Sequence, residues 1–94
     1  MSNLLLMLVT KNRFRFLRFK KDIAMIVEIF KTNVQKVTET NYIIEVINRM
    51  FPAYKVNFDL EDCDKILRVE GLELQCDNII GYVNYLGYTC VRLE

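Results

Sequence analysis

From residue 25 onward, apolar and polar residues follow patterns that predict regular secondary structure. Residues 25–31 are rich in β-branched and aromatic side chains, which is typical of a strand. A helix follows, which Thr38 or Thr40 can cap and which Pro52 ends. Its apolar stripe consists of Ile43, Ile44, Ile47, Met50 and Phe51.

A hairpin is predicted after this helix. Apolar and polar residues alternate over residues 54–60, as expected for a strand with one buried face. Leu67 and Val69 then occupy the inward positions of a third strand, between the polar neighbours Arg68 and Glu70. The short polar segment between the two strands is interpreted as their turn.

The last part of the chain predicts a second helix and a fourth strand. Gly87 suits the left-handed position past the helix end, and residues 89–93 form the final strand. The apolar stripe of this helix consists of Ile79, Ile80, Val83 and Leu86. The order βαββαβ predicts an α+β fold, a ferredoxin-like two-layer sandwich. We expect a four-stranded antiparallel sheet with both helices on one face and the first and third strands in its centre.

Residues 56–70 and 79–88 carry a family resemblance. The segments VNFDLEDCDKILRVE and IIGYVNYLGY resemble the second hairpin and the closing helix-Gly-Tyr corner of heavy-metal-associated (HMA-like, copper-chaperone-like) domains. The resemblance is in particular to small bacterial members of the family that have lost the metal motif. The resemblance covers about residues 26–93 and implies the same ferredoxin-like fold.

In metal-binding members of that family, a Met-x-Cys-x-x-Cys loop between the first strand and the first helix holds a soft ion such as Cu(I). The corresponding residues 32–40 contain no cysteine and no methionine. No metal residue of the family therefore carries over to this chain, and we expect no cofactor. The loop is instead a candidate interaction loop, with Asn33, Gln35, Lys36 and Glu39 as its candidate residues.

Three cysteines at wide spacing favour reduced thiols inside a cell over a disulfide framework. Cys63 in the hairpin turn and Cys90 in the last strand lie at the same end of the predicted sheet. They leave open an alternative function as a copper, zinc or redox protein. Cys76 begins the second helix, where a redox-sensitive thiol and a small packing residue are both compatible with the sequence.

The near-neutral total charge conceals an asymmetric distribution. Residues 1–24 hold six Lys/Arg and one acid, for a net charge of +5, whereas residues 25–94 hold seven and eleven, for a net charge of −4. This N-terminal extension interleaves aromatic with basic residues, which permits binding of single-stranded nucleic acid or of a membrane surface. A solvated arm or an added strand is the favoured interpretation. The candidate basic arm consists of Arg13, Arg15, Arg18, Lys20 and Lys21.

Several residue types needed for catalysis are missing from the sequence. There is no histidine, and Ser2 is the only serine, so nucleophilic Ser-His and Cys-His pairs are excluded. The three glycines fit no phosphate-binding loop. No apolar run approaches the roughly 20 residues of a membrane span. We expect a cytoplasmic, non-enzymatic binding or adaptor domain with a protein partner, as a monomer or weak homodimer, and Tyr82 and Tyr85 are candidates for its interaction surface.

Overall fold

A computed structural model describes residues 4–10, 13–20, 23–61 and 64–93. Its elements in chain order are β1 (Leu4–Thr10), β2 (Arg13–Lys20), β3 (Ile23–Thr32), α1 (Val37–Met50), β4 (Lys55–Asp59), β5 (Ile66–Gly71), α2 (Cys76–Tyr85) and β6 (Cys90–Arg92). The predicted βαββαβ order of the region after residue 24 is confirmed. Within the described residues, no helix combines the length and apolar character that crossing a bilayer requires.

The sheet places β3 and β5 in the centre, as predicted. β5 pairs with β3 on one side and with β4 on the other, and β6 pairs with the opposite edge of β3. All of these pairings are antiparallel. The four strands β6, β3, β5 and β4 therefore have the ferredoxin-like order, and the predicted fold class is confirmed.

One core lies between this sheet and the two helices. Phe30 and Leu67 are cross-strand partners on the central strands, and both side chains are fully buried. From the helices, Ile43, Ile47, Ile79 and Val83 pack into the same cluster. Both helices therefore cover one face of the sheet, and their apolar stripes supply the inner layer of a two-layer sandwich.

The N-terminal extension forms a hairpin that enlarges the sheet. β1 pairs antiparallel with β2 along its whole length, and β2 pairs with the first half of β3, from Ile23 to Val27. β6 pairs with the other end of β3, from Phe30 to Thr32. Two different strands thus share one edge of β3, end to end.

The start of α1 differs from the prediction. The helix begins at Val37 with Lys36 as its N-cap residue, so Thr38 and Thr40 are inside the first turn and do not cap it. The Thr40 hydroxyl donates to the Val37 carbonyl at 2.7 Å. A lysine side chain cannot accept a hydrogen bond, so a cap at Lys36 is not recognisable from the N-cap residue alone.

Glu70 is a second departure from the sequence pattern. The alternation of β5 predicts that this glutamate points away from the core, and its position does belong to the face opposite Val69. Its side chain is nevertheless buried, because β5 is a central strand with neighbours on both sides. Val27, the cross-strand partner of Glu70 on β3, is buried as well. This part of the sheet face that points away from the helices is therefore shielded from solvent.

Candidate functional site

The connection between β3 and α1 is tied to the rest of the domain by hydrogen bonds. Val34 is fully buried, and its amide donates to Thr32 Oγ1 at 3.3 Å. The Thr32 hydroxyl donates to the Lys65 carbonyl at 2.7 Å, and Asn33 Oδ1 accepts from the Thr89 amide at 2.9 Å. The connection between β3 and α1 is therefore fixed by its own polar groups.

Glu39 organises the helix end of this loop. Its Oε1 accepts from the amide of the N-cap residue Lys36 at 3.1 Å and from the amide of the preceding residue, Gln35, at 3.3 Å. Its Oε2 accepts from the Tyr88 hydroxyl at 2.9 Å. The Tyr88 hydroxyl and the two amides lower the pKa of Glu39 against partial desolvation, and the same bond raises the pKa of Tyr88.

Of the four candidate loop residues, two serve the fold directly. The side-chain oxygens of Asn33 and Glu39 are used in the hydrogen bonds just described. Gln35 and Lys36 are exposed and adjacent on the surface. The loop therefore offers a small polar surface on a rigid base.

Two of the three cysteines lie among the described residues. Cys76 and Cys90 are both buried in the core cluster. Burial, aided by Cys76, raises the pKa of Cys90 to about 12. A thiol must lose its proton to bind a soft ion, so this environment opposes metal binding. Cys63, its proposed partner, lies outside the described residues, so the pairing of Cys63 with Cys90 stays a prediction.

No other metal cluster is found among residues 4–10, 13–20, 23–61 and 64–93. No group of three or more His, Cys, Asp or Glu residues lies close enough together there to hold an ion. Asp64, in the connection between β4 and β5, forms an ion pair, since the Lys31 ammonium lies 3.6 Å from its carboxylate oxygen. This exposed pair joins β3 to the start of β5.

The candidate basic arm is part of the N-terminal hairpin. Arg13, Arg15, Arg18 and Lys20 all lie on β2, between β1 and β3. Lys21 lies outside the described residues. The structure thus places four of the five arm residues on an inner strand of the enlarged sheet.

A groove lies between α1 and α2. It has a volume of about 610 Å³. Tyr42 is 55% exposed, Met50 49% and Tyr85 88%, so large apolar groups face solvent here. The residues that line the groove are Tyr42, Val46, Met50, Asp77, Asn78, Gly81, Tyr82, Tyr85 and Leu86.

The groove follows from a second row of apolar residues on each helix. Tyr42, Val46 and Met50 are spaced by four, so they form one ridge of α1 beside the buried stripe of Ile43 and Ile47. The row spans two turns, about 12 Å of helix. The stripe of α1 is therefore wider than the core requires, and the excess faces the groove.

On α2, the same groove has a glycine in its wall. A Cβ atom built on Gly81 meets no atom within 4 Å, so the absence of a side chain leaves open space. The neighbouring Tyr82 ring lies against Phe51, with 6.2 Å between centroids, and Phe51 stacks on Tyr54 at 4.6 Å. These ring contacts fix one side of the groove, whereas Tyr85 extends into solvent.

The sequence pattern identified part of this surface. Tyr82 and Tyr85 are the tyrosines expected there, and both line the groove. The four-residue spacing of Tyr42, Val46 and Met50 indicates the other wall, but the helical periodicity places Met50 in the apolar stripe with Ile43 and Ile47. Its 49% exposure shows that it belongs to the surface.

Comparison with protein-family models, with curated proteins and with solved structures finds no match to this chain. The geometry of the domain itself is therefore the basis of its proposed function.

Proposed function

We propose that the chain is a cytoplasmic, non-enzymatic binding domain that docks an amphipathic helix of a protein partner in the groove between α1 and α2. In this proposal the domain is related to the heavy-metal-associated domains and has lost their metal site. The observation that carries the proposal is the exposed apolar groove, lined on both walls by aromatic and aliphatic residues. Concave apolar surfaces with a few polar groups are typical of docking sites.

The dimensions of the groove favour a helical partner. The row from Tyr42 to Met50 is two turns long, which matches apolar anchors at positions i, i+3 or i+4, and i+7 of a helix. Tyrosine and methionine are enriched in such interfaces, because they offer large apolar areas that adapt to a partner. We therefore infer that the partner presents two or three aliphatic side chains on one face.

Charge supplies a second preference. Among the described residues that line the groove, only Asp77 carries a formal charge. The region from residue 25 onward also has a net charge of −4. A lysine or arginine beside the apolar anchors of the partner would complement both, mainly by accelerating association and fixing orientation.

The proposed loss of the metal site is supported by the loop between β3 and the N-terminus of α1. This loop has no sulfur ligand, and its Asn33 and Glu39 side chains hold the backbone in place. Cys90 is the candidate metal-binding cysteine that lies among the described residues, and its pKa is raised to about 12. Both features fit a domain that binds a partner through its surface and holds no metal ion.

The test uses a displayed library of helical peptides with randomised positions, selected against the intact chain. Affinities of synthetic copies are then measured by fluorescence anisotropy. We expect enrichment of peptides with aliphatic residues at i, i+4 and i+7 and a nearby Lys or Arg. Tyr85→Ala is expected to weaken their binding by roughly tenfold or more, since exposed interface tyrosines are common hot spots.

Val91→Ala is the matched control. Val91 is 59% exposed, but it lies on β6 next to the buried Cys90 and so belongs to the opposite face of the sheet. This variant should bind the selected peptides as the wild type does. Equal binding by wild type and Tyr85→Ala, or the absence of any enriched peptide, would contradict the proposed function.

A further inference from the structure

The strand β1 forms one edge of the sheet. It pairs with β2, and the strand order β1-β2-β3-β5-β4 places no further described strand on its other side. Its sequence, LLLMLVT, contains no charged residue and no proline. Alternate positions of a strand belong to opposite faces, so both faces of β1 are apolar by sequence.

The opposite edge of the sheet has a different composition. β4 has the sequence KVNFD, with exposed Lys55 and Asn57 and with Asp59 at its end. Charged residues on an edge strand oppose pairing with another chain, and natural sheets commonly protect their edges in this way. β4 therefore has the usual protection, and β1 has none.

The basic residues of the hairpin do not provide a polar face. Leu17 and Ile26 are partners in the register, so Leu17 shares the helix-bearing face on which Phe30 also lies. By the same alternation, Arg13 and Arg15 belong to that face, whereas Arg18 and Lys20 belong to the other.

This distribution decides between two kinds of occupant. Docking on a membrane surface requires one basic face and one apolar face, whereas the four basic residues of β2 are divided equally between its two faces. The charge is instead distributed by strand, since β2 holds four basic residues and β1 holds no charged residue. The apolar surface of the hairpin is consequently its outer edge, which is β1.

The helical layer does not lie over this edge. α1 packs against β4, which is the edge strand opposite β1. α2 packs against β6, which pairs with the end of β3 that β2 does not reach. A two-stranded ribbon without a covering layer is at best marginally stable in water. An additional strand beside β1 would extend the ladder and bury its apolar residues.

We propose that β1 pairs with β1 of a second copy of this chain, antiparallel and centred on Met7. In this register Met7 meets Met7 of the other copy, and Leu6 meets Leu8. Antiparallel pairing of one strand with itself has two-fold symmetry, so the interface closes at a dimer. The two sheets then become one continuous sheet through the dimer.

The mass in solution is the first test. Sedimentation equilibrium at about 100 µM chain, enough to populate a dimer of micromolar affinity, should give twice the 11.2 kDa of the chain. Met7→Lys brings two ammonium groups together at the symmetry axis and is expected to return the protein to a monomer. Asn57→Lys places the same charge on the β4 edge and should leave the dimer intact.

Cross-linking is the second test, and it applies even if Met7→Lys prevents folding. Met7→Cys is expected to form a disulfide-linked dimer under mild oxidation, visible on a non-reducing gel. Leu4→Cys is the matched control, because the two Leu4 positions in this register are separated by roughly 20 Å along the strands. Both variants retain the native cysteines, which gives them the same background.

The outcomes separate this proposal from the docking groove. A dimer that Met7→Lys dissociates, or selective cross-linking of Met7→Cys, supports the β1 interface whether or not a peptide binds between the helices. A monomeric wild type, a dimer that survives Met7→Lys, an assembly larger than a dimer, or cross-linking of Leu4→Cys as efficient as that of Met7→Cys overturns it. A wild type that is monomeric but binds anionic vesicles would assign the hairpin to membranes instead.

Discussion

Replacing Gly81 should increase the stability of the domain and, with a large side chain, block the proposed docking groove. Gly81 lies in the interior of α2, and its residue position is exposed. A glycine at such a position costs roughly 0.5–1 kcal/mol relative to alanine, because it loses more backbone entropy on folding. The Cβ atom of alanine would meet nothing within 4 Å, so no steric cost offsets this gain.

The expected effect of Gly81→Ala is therefore an increase in the free energy of unfolding of about 0.5–1 kcal/mol. For a domain of this size, that corresponds to a rise in Tm of roughly 2–8 °C. Leucine has a helix propensity close to that of alanine, so Gly81→Leu should be similarly stable. Its isobutyl group, however, would project into the groove and exclude a partner side chain.

The assay pairs urea unfolding, followed by far-ultraviolet circular dichroism, with anisotropy titration of a selected peptide. Gly81→Ala should unfold at higher urea and still bind, whereas Gly81→Leu should fold equally well and lose the peptide. If Gly81→Ala is less stable than the wild type, the position is not the open helical site described. If Gly81→Leu binds as tightly as Gly81→Ala, the groove is not the docking site.

Three further variants test the loop, the core and the helix end. The lowered pKa of Glu39 adds stability that is present above the ordinary value of 4.5 and is lost as pH falls through the pKa of the folded state. Glu39→Gln should thus unfold more easily at neutral pH, and its free energy of unfolding, measured in urea titrations, should depend less on pH in the acid range. An unchanged pH profile would contradict the role of the Tyr88 bond. Since the pKa of Cys90 is raised to about 12, iodoacetamide at pH 8 should label this residue far more slowly in the folded chain than in urea. Titration with Cu(I) under reducing conditions should detect no tight one-to-one complex, and such a complex lost in Cys90→Ser would refute the proposed absence of metal binding. Gly87 has φ +101°, so Gly87→Ala should lower the free energy of unfolding by about 1–2 kcal/mol, measured by the same urea assay.

The sequence was sufficient to predict the fold after residue 24, because its elements are strongly periodic. The helical spacing of Ile43 and Ile47, the alternation before Asp59 and the glycine at position 87 each indicate one local structure, and each agrees with the others. Consistency of this kind leaves few topologies to consider, since crossover handedness then fixes which strands are central.

Other features depend on contacts that no local pattern contains. The cap of α1 comes from Glu39 inside the helix, and its second oxygen is held by Tyr88, which is distant in sequence. The burial of Glu70 reflects the neighbours of a central strand. The groove, likewise, exists because residues such as Met50 fall between two packed helices, and periodicity alone assigns them to the core.

The N-terminal hairpin and the last strand both pair with one edge of β3, β2 with its first half and β6 with its second. The two pairings share no residue of β3, so detaching the hairpin would leave the hydrogen bonds between β3 and β6 in place. Changes in the hairpin can therefore leave the sandwich intact. Self-association through β1 and docking between α1 and α2, as proposed above, would then be separable properties of a chain of fewer than a hundred residues.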